Sequence, residues 1–189
     1  MKASVVLNLI IIVCTAAAVR REILSSGARH VMRYYTTLSN LLSALAALLV
    51  IVCRLSGSLP NWVLGLKHVA TVAVTVTLLV VLLYLGPVSK NFKGLLVTGS
   101  CFFLHLFCPL LAIVTRIFFD RTGGGFGIVL LGMLPVLLYG LLYFQKVVLA
   151  PPARRWDDFY CFNKGGKWPV SAAAMMAGCF LISLVFWLI

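Results

Sequence analysis

His105 sits inside a run of residues apolar enough to cross a bilayer. An ionisable side chain in that setting has to find a partner or a function, because burying it is costly. Thr98, Cys101, Cys108, Ala112 and Thr115 fall three and four residues apart along with it, so one helix stacks all six as a stripe of small and polar side chains. The stripe predicts that His105 faces other helices, where an imidazole supplies acid–base chemistry or an interhelical hydrogen bond worth about 1 kcal/mol. Pro109, four residues on, removes the amide that would bond the carbonyl of His105, which predicts a free carbonyl and permits a kink. A second polar group opens another run: Thr36, Asn40 and Ser43 share one face at spacings of four and three, and Thr37 reaches the side of Asn40. These residues either build a site or cap a helix and pack small side chains against a neighbour. Tyr139 and Tyr143, on a run with Gly132, Pro135 and Lys146 at similar spacing, add hydroxyl partners or an aromatic anchor at headgroup depth.

The elements that must position these groups follow from composition. The 189 residues are 62% hydrophobic and 11% charged, with a mean hydropathy of +1.10, whereas a soluble domain is about 45–50% apolar and about 25% charged. A soluble globular fold is excluded, and continuous rather than alternating apolar runs argue against a transmembrane barrel. A hydrocarbon core about 30 Å thick takes about 20 apolar residues per helical crossing. Runs at 3–19, 35–53, 66–86, 95–115, 128–148 and 170–189 therefore predict an all-α, polytopic six-helix transmembrane bundle, a single domain over 1–189. Glycines, prolines and charges separate the runs, and no internal repeat suggests a transporter built from two similar halves. Lys2 and the run to Ala18 imitate a signal peptide, but Arg20 and Arg21 come directly after it and predict a retained first helix.

Sixteen Lys and Arg against four Asp and Glu give a formal charge of +12. The basic residues lie between apolar runs without any basic-aromatic nucleic-acid pattern, so membrane lipids and not nucleic acid are the expected partners. Eleven of them fall after the first, third and fifth helices and five on the opposite side, which predicts a multi-pass cell-membrane protein with both termini extracytoplasmic. Glu22, Asp120, Asp157 and Asp158 all fall outside the cores of the runs, so no carboxylate-rich ion site, no metal and no cofactor is expected. The six cysteines form no CxxC pair and read as small hydrophobes. At 1.5 Å per residue Thr36 lies roughly 4.5 Å past Arg33 and His105 roughly 18 Å past Lys93. The two meet only if the helices tilt, or if Lys93 lies outside the core and Arg33 is drawn inward.

The last connection, Arg154 to Trp168, interleaves bases, acids, aromatic rings and glycines. It predicts an interfacial cap in which Asp157 and Asp158 pair with Arg154 or Arg155. The order of Tyr35-Thr36-Thr37-Leu38-Ser39-Asn40, His105 with Pro109, and Trp156-Asp157-Asp158-Phe159-Tyr160-Cys161-Phe162-Asn163 resembles small bacterial six-helix proteins. These in turn are similar to the eukaryotic androgen-induced, FAR-type family of membrane fatty-acid-ester hydrolases. The resemblance implies an intramembrane threonine and histidine that cleave fatty acid esters of hydroxy fatty acids or similar lipid esters: Thr36 or Thr37 as nucleophile and His105 as base. Such chemistry is coherent, because a neutral imidazole can take the hydroxyl proton and amides such as Asn40 can stabilise the oxyanion. With no carboxylate near His105 in sequence, Tyr139, Tyr143 or a backbone carbonyl would hold its tautomer. The alternative is a non-enzymatic membrane protein that binds or passes a small amphiphile through the same polar cavity.

Overall fold

The computed structural model describes residues 2–189. Six helices in it are long and apolar enough to cross a membrane: α1 (Lys2–Ser26), α2 (Tyr35–Leu55), α3 (Asn61–Ser89), α4 (Gly99–Phe118), α5 (Gly127–Leu149) and α6 (Trp168–Leu188). No strand occurs among the described residues. The architecture is the all-α six-helix membrane bundle that the apolar runs predict.

Helix α3 is the axis of the bundle, with 61% of its most apolar window buried against 17–39% for the other five. Its sequence explains the placement. From Ala70 to Leu78 it carries Ala, Thr, Val and Leu on every side, and a helix apolar all round with small side chains lets neighbours approach from every direction. Its threonines stay compatible with lipid depth by bonding back along the helix, Thr71 Oγ1 to Lys67 O at 2.8 Å and Thr75 Oγ1 to Thr71 O at 2.7 Å. Around it α2, α4, α5 and α6 all pack directly, with α1 wedged between α2 and α4. The outer faces are leucine-rich: Leu130, Leu131, Leu134, Leu137, Leu138 and Leu141 on α5 are all exposed, as side chains facing lipid should be.

Helix ends depart from the apolar runs where polar residues still favour helix. α1 continues through Arg20, Arg21 and Glu22, all adequate helix formers, and stops only at Gly27 in the left-handed region (φ 81°). α3 starts at Asn61 behind Pro60, which brings Lys67 and His68 inside the helix. α4 starts at Gly99 (φ 55°), later than the apolar run, and Lys93 belongs to a separate short helix, Phe92–Leu96. His105 therefore lies six residues into its helix and Thr36 one, which narrows the depth gap between them.

Three π-helical turns interrupt the spans, Val81–Leu85, Phe102–Phe107 and Gln145–Leu149, and each ends two residues before a proline: Pro87, Pro109 and Pro151. At Pro87 and Pro109, which lie inside their spans, the cause is the missing amide, whereas Pro151 follows an extended Ala150 (ψ 144°) beyond the helix and Pro135 sits inside α5 without a widened turn. A proline ring collides with the carbonyl four residues back and donates nothing to it, and widening the turn relieves the collision. The widened turn shifts pairing by one residue, so the carbonyl five residues before Pro87 and Pro109 loses its amide. At Pro109 that carbonyl is Leu104's, because the Cys108 amide bonds Phe103 O. At the end of α5 the terminal carbonyl of Lys146 accepts from the Trp156 amide at 2.9 Å and so ties the last connection back onto α5.

Candidate functional site

The freed carbonyl of Leu104 organises the first polar group. Asn40, fully buried on α2, donates from Nδ2 to Leu104 O at 2.9 Å and to Thr36 O at 2.8 Å. Sequence reasoning expected the kink to expose the carbonyl of His105; the carbonyl that another helix takes up is one residue earlier. Both Nδ2 protons of Asn40 are committed to carbonyls, which leaves none for an oxyanion. His105 is partly buried, and its Nδ1 faces Leu95 O at 2.6 Å, so a backbone carbonyl sets its tautomer and its ring staples the short helix before α4 onto the bundle. No hydrogen bond joins His105 to Thr36 or Thr37 among the described residues. The buried stripe of α4 is Ser100, Leu104, Cys108, Ala112 and Thr115, with His105 at its edge. Thr98, expected in it, precedes the helix and is exposed. The π turn accounts for the shift, since it rotates everything before Cys108 relative to the second half of the helix.

Thr36 instead opens onto a cavity of about 320 Å³ between α3, α5 and α6. Val76, Val80, Val81 and Leu85 form the α3 wall, Met175 and Met176 the α6 wall, and Tyr35, Tyr139, Tyr143, Tyr160, Phe162 and Trp168 close the end nearest the last connection. Leu137 and Leu141, both exposed on the lipid face of α5, also line it, so the cavity opens sideways into the bilayer. Neither Thr37 nor His105 lines it. Tyr139 and Tyr143, expected as hydroxyl partners of the site, do line it, but their hydroxyls donate outward, to Arg33 O at 2.6 Å and to Asp158 Oδ1 at 2.9 Å. Tyr160 belongs to the aromatic motif of the last connection but not to the expected site. Its hydroxyl accepts the Tyr35 amide at the start of α2 at 2.9 Å. Burial pushes its phenol up to about 12, with Thr36 pulling the other way, so it carries its proton at neutral pH.

The last connection is ordered over this end, though not by the expected ion pairs. Neither Asp157 nor Asp158 pairs with Arg154 or Arg155. Asp158 accepts from the Tyr143 hydroxyl, the Phe162 amide and the Asn163 amide, each at 2.9 Å, while the Tyr84 hydroxyl donates to Cys161 O at 2.8 Å. A carboxylate that accepts backbone amides folds a loop onto itself more tightly than an exposed ion pair would.

The opposite end holds a polar network that sequence reasoning missed. Asp120, a loop acid by its place between apolar runs, is fully buried and accepts from Ser4 Oγ at 2.8 Å, Asn8 Nδ2 at 2.9 Å and Arg54 Nη2 at 2.9 Å. Lys67, a loop base by the same reasoning, is fully buried and donates to Asn8 Oδ1 at 2.6 Å, so the Asn8 amide bridges a cation and a carboxylate. Arg116, a third residue expected in a loop, is buried and donates to Phe186 O at 2.9 Å and, at the long limit of 3.5 Å, to His68 Nδ1. That donation leaves the His68 proton on Nε2, which gives it to Ser183 Oγ at 2.9 Å, and Ser183 donates in turn to Val129 O at 2.9 Å. Each proton beyond His68 points away from it, so Ser183 and His68 are not a nucleophile and its base. Gly132 makes room for the pair, because a Cβ there would collide with Ser183 Oγ. The apolar layer of Ile11, Ala47, Val74 and Ala112 packs within the bundle, and none of the charged residues lines the cavity near Thr36.

No family model, curated protein or solved structure matches the chain. Its function has to be read from this geometry.

Proposed function

We propose that the protein is a membrane-embedded binding protein for a bilayer amphiphile, whose apolar part occupies the cavity between α3, α5 and α6 and whose polar part meets Thr36 and Tyr160. The observation that carries this reading is the cavity itself: concave, predominantly apolar, open to lipid at Leu137 and Leu141, with the Thr36 and Tyr160 hydroxyls at the end nearest the last connection. The ester-hydrolase reading needs a base beside Thr36. His105 is bonded to Leu95 O and lies outside the cavity lining, which favours binding over cleavage.

Gly140 supplies the test. It lines the cavity and a Cβ there meets nothing within 4 Å, so a side chain can start there without a clash, and Gly140→Phe is the variant that puts a ring at the lining. Purified wild-type protein should retain a co-purifying or added long-chain amphiphile that Gly140→Phe loses, while both remain folded in detergent. Equal retention by the two overturns the reading. Turnover of a long-chain ester that disappears in both Thr36→Ala and His105→Ala would replace it with the hydrolase that the family resemblance implies.

For orientation, we place the termini on the extracytoplasmic side. Of the five basic residues opposite the eleven, Lys67 and Arg116 are buried in the bundle and Arg54 is paired with Asp120, which leaves Lys2 and Arg121. A phosphatase fusion active at Ile189 and inactive at Asn163 supports this assignment; the reverse pattern refutes it.

A further inference from the structure

We infer that the occupant of the cavity is an anionic single-chain amphiphile, with a chain of roughly ten carbons inside and a carboxylate-like or phosphate-like head held at the lysine-bearing rim. The inference rests on the binding reading above and adds the size and charge of the ligand.

Size comes from the volume. At about 30 Å³ for each water-sized group, a cavity of about 320 Å³ takes roughly ten non-hydrogen atoms. That suits one unbranched chain inside the cavity. The opening beside Leu137 and Leu141 also suits a chain that slides in from the bilayer.

Charge comes from the rim. No acidic or basic side chain lines the cavity, but three lysines lie within two residues of its lining: Lys146 beyond Phe144, Lys164 beyond Phe162 and Lys167 before Trp168. Lys164 and Lys167 are exposed, and the one ion pair among the described residues joins Arg54 to Asp120 at the other end, so none of the three has an acidic partner. Of the two acids in that loop, Asp158 already accepts three hydrogen bonds and Asp157 is exposed and forms no ion pair. Thr36 and the protonated Tyr160 lie at this same end and offer hydroxyls, which donate to an anionic head. A cationic head is disfavoured by the lysines. The aromatic faces that would hold it are also spent on one another: Trp168 stacks on Tyr143 with centroids 5.9 Å apart and on Phe144 at 5.4 Å.

The test titrates decanoate, decanol and decyltrimethylammonium into purified protein in an uncharged detergent and follows the shift in unfolding temperature. Decanoate should act at about a tenth of the decanol concentration and lose most of that advantage at high salt, with decyltrimethylammonium weakest. A Lys164→Gln/Lys167→Gln variant should bring decanoate to the level of decanol and leave decanol unchanged, and Gly140→Phe should abolish all three shifts. Decanol or the ammonium compound matching decanoate, or a decanoate preference that survives the double lysine variant, overturns the anionic head. The binding reading stands in that case if Gly140→Phe still removes the shifts. Shifts that persist in Gly140→Phe overturn the binding reading itself.

Discussion

The Leu104 carbonyl gives the sharpest test of how the bundle holds together at the π turn of α4. Pro109 and the widened turn deprive it of a helical amide, and Asn40 Nδ2 replaces that amide from α2 at 2.9 Å. Asn40→Leu keeps nearly the same shape and removes the donor. Thr36 O loses little, because the Asn40 main-chain amide is its helical partner, so the cost falls on Leu104 O. An orphaned buried carbonyl costs about 1–3 kcal/mol, while side-chain hydrogen bonds in membrane bundles average about 0.6 and reach about 1.7 kcal/mol. A loss of about 2 kcal/mol is expected, near the top of the membrane range, because no other donor is at hand. Pro109→Ala returns an amide to position 109 and lets the turn relax, so the Cys108 amide can return to Leu104 O. In that background Asn40→Leu should cost less than about 1 kcal/mol, giving a coupling of at least about 1 kcal/mol. Reversible unfolding of the four proteins in mixed micelles measures the cycle. Equal costs of Asn40→Leu with and without Pro109 would refute the account of the π turn as the reason for the asparagine.

Two glycines on one helix should respond in opposite directions: Gly132→Ala pushes a methyl into Ser183 and should destabilise by about 1–3 kcal/mol, whereas Gly140→Ala meets open space and should stabilise by about 0.5–1 kcal/mol. Thermal unfolding of both decides it. Asp120→Asn leaves Arg54 and Lys67 without a carboxylate in a buried network and should cost about 3 kcal/mol or more, read from the same unfolding assay; a loss under about 1 kcal/mol would mean that the network is already neutral. Tyr160 predicts an alkaline transition. With the folded phenol at about 12 against the ordinary 10, its stabilisation is complete below about pH 10 and is lost as pH rises toward 12, and the difference is worth about 3 kcal/mol. Tyr160→Phe should start less stable, through the lost bond to the Tyr35 amide, and decline less over that window in a pH-dependent melt.

Helix number and order were legible because they depend on local apolar length. Six runs gave six spans, and the small, β-branched stretch from Ala70 to Leu78 was a visible sign of the central helix even without a neighbour in view. Helix ends were less legible, since a hydropathy window stops at the first charge while a helix does not: α1 continues past Arg20 and α3 begins before Lys67. The start of α4 was missed for a different reason. Gly99 takes a left-handed backbone that no apolar count registers. The π turns were only partly readable, since Pro87 and Pro109 mark two of them but Pro135 inside α5 has none, and a fixed 3.6-residue period cannot represent a turn that is one residue wider. The stripe through Thr98 and His105 breaks down at that point.

The site residues divide along the same line. Asn40 proved to be a bundle residue of consequence, yet its partner is a carbonyl 64 positions away, and no spacing on α2 could name it. Thr36 reaches the cavity because Tyr160, 124 positions later, folds back over the start of α2. The buried charges were the hardest to read, since a lysine near the end of an apolar run looks the same whether it meets headgroups or a buried amide. A trace of them existed in the spacing. Ser4 and Asn8 on α1 are four apart, so the pair presents two polar groups on one face, and Asp120 follows just past the end of α4. A lipid-facing helix gains nothing from such a pair. Ser4 and Asn8 bury their polar groups against Asp120, while Arg116 turns instead to α6 and α3 through Phe186 O and His68.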